Sequence, residues 1–274
     1  MQPPIPASLS STRAHAPASV SPRSCELTVV VPVLNERANV ASLVREIVNA
    51  LCGVVRYEIV YVDDGSDDGT AEALELIQRE VAELRVVRHD VPAGQSAAIR
   101  SGVQHARGHW IATLDGDGQN DPADIPMLLT QACALAARCG NDRVLIAGWR
   151  QQRHDARFTR VQSRIANAVR SRLLGDATPD SACGLKIFSR ELYLLLPDFD
   201  HMHRFLPALV RREGGEVVSI AVRHRPRTSG KSHYGVTNRL WTGIVDLVGV
   251  IWLSRRIRRP RVTEHRNARR EEGV

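Results

Sequence analysis

The sequence predicts an α/β fold, a Rossmann-like, mostly parallel open sheet with helices on both faces. Three observations carry this. Strand-like and helix-like stretches alternate four times after residue 26, joined by short connections. The first run, Glu26–Leu34 (ELTVVVPVL), is almost continuously apolar and β-branched, the pattern of a central strand covered on both faces. The strand-like runs also end in acidic or glycine-rich turns, and open α/β sheets bind ligands outside the carboxyl ends of their strands.

The elements follow in order. After the first strand, Asn35-Glu36 leads into a helical period through Val40, Leu43, Val44, Ile47 and Leu51. Tyr57–Val62 is a second strand, broken by Asp63-Asp64-Gly65-Ser66-Asp67-Asp68-Gly69-Thr70, then a helix to about Glu83. Leu84–Arg88 is a short strand, and Gly94-Gln95 starts a helix to about Ala106. Trp110–Leu114 is the fourth strand, ending in Asp115-Gly116-Asp117, and Pro122 opens the next helix at its first turn. Val144–Trp149 is a fifth strand, and Arg150, Arg153, Arg157, Arg160 and Arg164 run into a helix reaching about Leu174. Asp180-Ser-Ala-Cys-Gly184 precedes a strand-like Leu185–Phe188 and a helix from Ser189 to Leu196. His203-Arg204-Phe205-Leu206-Pro207 starts another helix, and Glu216–Val222 is a strand leading into the basic loop His224–Tyr234.

From Leu240 to Leu253 the chain is nearly all apolar, with two tryptophans. Fourteen helical residues span about 21 Å, short of a bilayer crossing. Arg255, Arg256, Arg258, Arg259 and Arg261 follow, which suits a helix lying on an anionic membrane surface, though an ordinary core helix has the same composition. The domain expectation is a disordered lead-in over 1–25, a catalytic domain over 26–235, a membrane-associated helix over 236–257 and a basic tail over 258–274.

Composition is that of an ordinary soluble domain, with 43% apolar and 24% charged residues. Of the net charge of +7, +5 lies between Ser254 and Val274, so the high pI belongs to the tail rather than the fold. Aromatic residues are only 4%, against a nucleic-acid-binding role. Five cysteines without Cys-x-x-Cys or His/Cys metal spacing fit reduced thiols. Residues 1–24 are rich in Pro, Ala and Ser and lack the apolar core of a signal peptide.

Asp115 and Asp117 stand one residue apart at the end of a core strand, a costly arrangement unless a cation lies between them. A solvated turn capping the next helix is the alternative. Loops after strands one, two and four are expected to bring Glu36, Asp63, Asp64, Asp115 and Asp117 into one crevice. So acidic a crevice repels a phosphorylated ligand unless Mg²⁺ or Mn²⁺ is present.

Three motifs occur in order at strand ends: Val31-Pro32-Val33-Leu34-Asn35-Glu36, the run Val62–Thr70, and Leu114-Asp115-Gly116-Asp117-Gly118-Gln119. Together they resemble family 2 inverting glycosyltransferases of the nucleotide-diphosphosugar (GT-A) fold. Gly94…Gly102, Gly148-Trp149-Arg150, Cys183-Gly184 and Arg227…Gly230-x-Ser232-x-Tyr234 resemble its dolichol- or polyprenyl-phosphate mannosyltransferase branch.

The resemblance implies roles for individual residues. Pro32, Asn35 and Glu36 match the loop that contacts the nucleoside, and Asp64 the acidic position that reads base or ribose. Asp115 and Asp117 match the metal and diphosphate pair, with Gln119 a further metal ligand. Arg150 matches an arginine near the phosphates, and Arg227 the arginine of the late basic loop. His233 stands where the family usually has lysine, and Lys231 is a possible substitute. Arg150, Arg164, Arg227, Lys231 and His233 are expected to bring two anions together, with Asp180 only a fallback base. The implied reaction moves a sugar, mannose from GDP-mannose or a UDP-linked sugar, to a polyprenyl phosphate at the cytoplasmic face of the inner membrane. An inactive scaffold of the same fold is the alternative.

Overall fold

The computed structural model describes residues 27–150, 171–175, 178–226 and 236–256. Seven strands form one sheet: β1 (Leu27–Val33), β2 (Tyr57–Asp63), β3 (Leu84–Arg88), β4 (Trp110–Thr113), β5 (Val144–Arg150), β6 (Lys186–Ser189) and β7 (Glu216–Val222). Their order is β3-β2-β1-β4-β6-β5-β7. β1 pairs in parallel with β2 and β4, β2 with β3, and β5 with β7. β6 runs antiparallel between β4 and β5, opposing Thr113 with Lys186 and Ile146 with Ile187.

Both faces of the sheet are covered, as the continuous apolar run of β1 requires. Val29, Val31 and Val33 face a core shared with α1 (Arg37–Leu51), α2 (Thr70–Gln78) and α4 (Ile125–Cys139). Val30 faces the opposite core, shared with α3 (Gln95–His105), α5 (Arg190–Leu195) and α6 (Leu206–Arg212). The alternation along one strand thus divides the domain into two layers of helices.

The helix after β2 ends at Gln78, sooner than expected, and Arg79 closes it onto the Leu76 carbonyl. Pro122 opens a 3₁₀ turn over Pro122–Asp124, capped by Asp121, whose carboxylate accepts from the Ala123 N–H at 3.0 Å. A second 3₁₀ turn, Met202–Arg204, precedes α6. Of the expected Arg150–Leu174 helix, residues 171–174 are helical, and Arg153, Arg157, Arg160 and Arg164 lie outside the described residues.

The C-terminal helix, α7 (Val236–Arg255), extends beyond the apolar run Leu240–Leu253 at both ends and has two faces. Leu247, Val250 and Leu253 pack into the core against α5 and α6. Ile244, Val245, Val248 and Trp252 are turned outward, Val248 being 60% and Trp252 59% exposed. The core-helix alternative therefore describes one side of it, and the other side is exposed and apolar. Among the described residues, no helix is long and apolar enough to cross a membrane. The described cysteines Cys52, Cys133, Cys139 and Cys183 are free thiols.

Candidate active site

At the C-terminal edge of the sheet the loops after β1 and β2 are knitted to each other. Asn35 takes a left-handed conformation (φ 56°), which asparagine tolerates better than most residues. Its backbone N–H donates to the Ser66 hydroxyl at 2.9 Å, and its side-chain oxygen accepts from the Asp67 N–H at 3.0 Å. The Glu36 N–H donates to Thr70 Oγ1, while the Glu36 carboxylate turns back to Asn39. Asp63 is fully buried; it accepts the Ser66 N–H, and the Arg88 guanidinium lies 3.4 Å from it. Asp64 fastens the loop between β3 and α3: it accepts the Ala93 and Gly94 N–H groups, each at 2.8 Å, and meets His89 Nδ1 at 2.7 Å.

The end of β4 is different. Asp115 and Asp117 lie beside each other, and burial, with the Asp117 charge second, pushes the Asp115 carboxyl up to about 6. Lys186, Arg150 and a hydrogen bond from the Gln95 amide (3.0 Å) act against that rise. Gly184 packs directly over Asp115, and a β-carbon there would lie 2.2 Å from its carboxyl carbon. Any side chain at 184 would displace the Asp115 carboxyl, and two neighbouring carboxylates are a fitting donor set for a divalent cation. Asp117 Oδ1 accepts the Gln119 N–H at 3.1 Å, while the Gln119 side-chain amide donates to the Arg225 carbonyl at 3.5 Å. Among the described residues, no three His, Cys, Asp or Glu side chains form a metal cluster, so the remaining ligands would be Gln119, water and substrate oxygens.

Arg150 grips Asp180 with two hydrogen bonds, Nε to Oδ2 at 2.6 Å and an NH₂ group to Oδ1 at 2.9 Å. Burial opposes the arginine's charge, and the Asp180 fork more than restores it. Asp180 is thus held as a counter-ion to Arg150, unlike the free base that sequence left open. The carboxylate loop is also strapped to the chain leaving β7. The Arg225 N–H donates to the Gln119 carbonyl at 2.8 Å, and its guanidinium meets Asp121 at 2.8 Å. Asn120 and His224 pair as an isolated bridge. The basic loop therefore leaves from beside the carboxylate pair. Arg164, Arg227, Lys231 and His233 lie outside the described residues.

A cavity of about 400 Å³ opens beside Asp115. Pro32, Gln95, Asp115, Lys186, His203 and Arg204 are among the residues lining it. Of the five carboxylates expected to share a crevice, only Asp115 lines this cavity. Asp63 and Glu36 turn into the loop network, Asp64 bonds to the backbone of Gly94 in the cavity wall, and Asp117 accepts the Gln119 N–H of its own loop. Lys186, His203 and Arg204 were not singled out as site residues in the sequence. The available signals were a lysine inside the apolar run Gly184–Phe188 and the His203-Arg204 pair opening a helix.

The Glycosyl transferase family 2 model matches residues 28–195, more than half of the chain and every motif at the β1, β2 and β4 ends. This chain belongs to glycosyl transferase family 2. Two relatives place this glycosyltransferase more closely. It is 37% identical over 243 residues to dodecaprenyl-phosphate galacturonate synthase of Rhizobium johnstonii, covering 87% of this chain and 70% of that protein. It is 34% identical over 224 residues to undecaprenyl-phosphate 4-deoxy-4-formamido-L-arabinose transferase of Edwardsiella ictaluri, covering 81% of this chain and 66% of the relative. Among solved structures, glucosyl-3-phosphoglycerate synthase of Mycobacterium tuberculosis with Mn²⁺, UDP and glucosyl-3-phosphoglycerate shares its fold. The TM-score is 0.57 at 20% identity, over 84% of this chain and 80% of that one. The glycosyltransferase thus has an α/β GT-A fold.

Proposed function

We propose that this glycosyltransferase moves a sugar from a UDP-linked donor to the phosphate of a polyprenyl lipid, inverting the anomeric carbon. The observation that carries the reading is Asp115, packed under Gly184 and raised by the neighbouring Asp117 charge, in the wall of a cavity that Lys186 and Arg204 also line. The two relatives named above act, by name, on dodecaprenyl and undecaprenyl phosphate, and the solved neighbour holds UDP with Mn²⁺. GDP-mannose, implied by the branch resemblance, has no counterpart among them.

Asp115, Asp117 and Gln119 would hold Mg²⁺ or Mn²⁺, which supplies charge stabilisation for a departing diphosphate. The chain's own groups do the rest. A phosphate oxygen of the acceptor forms a bond to the anomeric carbon as the bond to the nucleoside diphosphate breaks, and the nucleotide leaves with the electron pair. The acceptor is a phosphate monoester with a second pKa near 6, so it is largely deprotonated at neutral pH and needs no general base. That matches the locking of Asp180 by Arg150. The task left to the protein is to hold two anions together, and Lys186 and Arg204 in the cavity wall support that reading. The outward face of α7, with Arg255 at its end and the Arg256 guanidinium 5.5 Å from the Trp252 ring, would rest the enzyme on an anionic membrane surface.

The test is a donor panel: purified protein, Mn²⁺ or Mg²⁺ and a polyprenyl phosphate, incubated with UDP- and GDP-sugars with and without chelator. Chelator-sensitive UDP release with a glycosylated lipid is expected. Release of GDP alone would overturn the donor, and no glycosylated lipid from any donor would overturn the reaction.

A further inference from the structure

Lys186 is a buried cation, 3% exposed, in the middle of the sheet. Its ammonium donates to the Cys183 carbonyl, and it forms no ion pair among the described residues. Asp115 and Asp180 act on it only through space, and burial holds its pKa below the usual lysine value. A buried charge without an anionic contact partner is costly, and a substrate anion meeting Lys186 would offset that cost. Lys186 also lines the cavity beside Asp115.

A second group points the same way. His203, in the same cavity wall, meets the Ser96 hydroxyl at 2.7 Å through Nδ1, and its backbone N–H donates to that hydroxyl at 3.3 Å. The hydroxyl has two lone pairs and one proton, so Nδ1 either donates to it or accepts from it; in the second arrangement Nε2 of the ring carries the hydrogen. Burial, with Lys186 next, pushes the imidazole pKa down to about 3, so the ring is neutral at any working pH.

We propose that Lys186 is the oxyanion-binding cation of this pocket, and that it holds an anionic group of the substrate pair together with His203 Nε2–H. The chemistry is a carboxylate or phosphate oxygen; its source is either the acceptor's phosphate or a carboxylate on the transferred sugar. The inference rests on the glycosyl-transfer reading for its substrates, but its binding test does not need turnover.

The full-length protein, Lys186→Met and Lys186→Arg are compared by thermal unfolding at constant ionic strength, with inorganic phosphate and with glucuronate. Methionine keeps the stem and removes an unpaired charge, so it is expected to fold. Lys186→Gln provides a second neutral variant if it does not. One or both anions should raise the wild-type Tm, with no shift in the neutral variant and a partial return in Lys186→Arg. In turnover, a tenfold or greater rise in KM for polyprenyl phosphate, with donor KM unchanged, assigns the acceptor phosphate. Lost preference for UDP-uronates over UDP-hexoses assigns the sugar carboxylate. Equal anion shifts in wild type and neutral variant, or no shift in wild type, overturn the proposal. Lys186-dependent shifts in an enzyme inactive on every lipid phosphate would leave it standing and sink the proposed reaction instead.

Discussion

Two sets of carboxylates sit at the same edge of one sheet and are treated oppositely. After β2, Asp63 and Asp64 are buried and bound to backbone N–H groups, histidine or arginine, so they hold their loops in place. After β4, Asp115 and Asp117 crowd each other beside a buried lysine that has no ion pair among the described residues. The first set stabilises the fold. In the second, burial and the Asp117 charge raise the Asp115 carboxyl to about 6, even though Asp115 accepts from the Gln95 amide and Asp117 from the Gln119 N–H. Acidic strand ends that look alike in sequence thus differ in their surroundings: backbone N–H groups, histidine and arginine after β2, a second carboxylate and a cavity after β4.

The sharpest separation comes from Asp117→Asn. It should lower turnover by roughly 10²–10³-fold, the scale of removing one electrostatic stabiliser of a transition state. Without metal its Tm should match or exceed that of wild type, since one of two crowded charges is gone; thermal unfolding in chelator checks this. Asp64→Ala should do the reverse, leaving the Ala93 and Gly94 N–H groups without their acceptor at a cost of about 1–3 kcal/mol each, read by urea unfolding. An Asp64→Ala protein as stable as wild type would erase the distinction.

Gly184→Ala tests the cradle. Its β-carbon cannot fit 2.2 Å from the Asp115 carboxyl, so a loss of about 1–3 kcal/mol and weaker Mn²⁺ dependence are expected together. His203 gives a pH signature. Its pKa is near 3 in the fold against about 6.5 unfolded, so the unfolded chain binds a proton that the folded one refuses. Stability should therefore fall as pH drops through about 6.5, by up to about 1.4 kcal/mol per pH unit until about 3. Urea titrations at pH 7 and 5 should show a smaller difference in His203→Gln. The smallest effect on folding is expected from Val248→Ser with Trp252→Ser: within about 0.5 kcal/mol each, because both side chains already face outward. The same pair should weaken binding to anionic vesicles in a sedimentation assay, and unchanged binding would remove α7 from the membrane contact.

The parallel strands and the Asp115–Asp117 pair were legible because buried parallel strands are written as unbroken apolar runs that stop abruptly. Leu84–Arg88 and Glu216–Val222 fall where the sequence puts them. The insertion of β6 between β4 and β5 was not legible, since its partners are far away in the chain and its four residues carry no pairing signal. Lys186 was missed for the same reason. A lysine in a strand ordinarily reads as an outward position, and only the neighbouring strands show that it is enclosed. The Asp63 and Asp64 side chains were read as crevice groups because sequence shows a carboxylate but not the N–H groups that take it up. In α7, Asp246 interrupts the apolar run where it meets His201 Nδ1 at 3.1 Å, marking the side turned toward the domain.

The most direct measurement is the affinity of UDP by calorimetry, with Mn²⁺ and with chelator, for wild type and Asp117→Asn. Wild type should bind UDP far more tightly with Mn²⁺, and Asp117→Asn should bind with the same weak affinity in both conditions. An Asp117→Asn protein that keeps the full Mn²⁺ dependence would show that the cation and the diphosphate are held elsewhere.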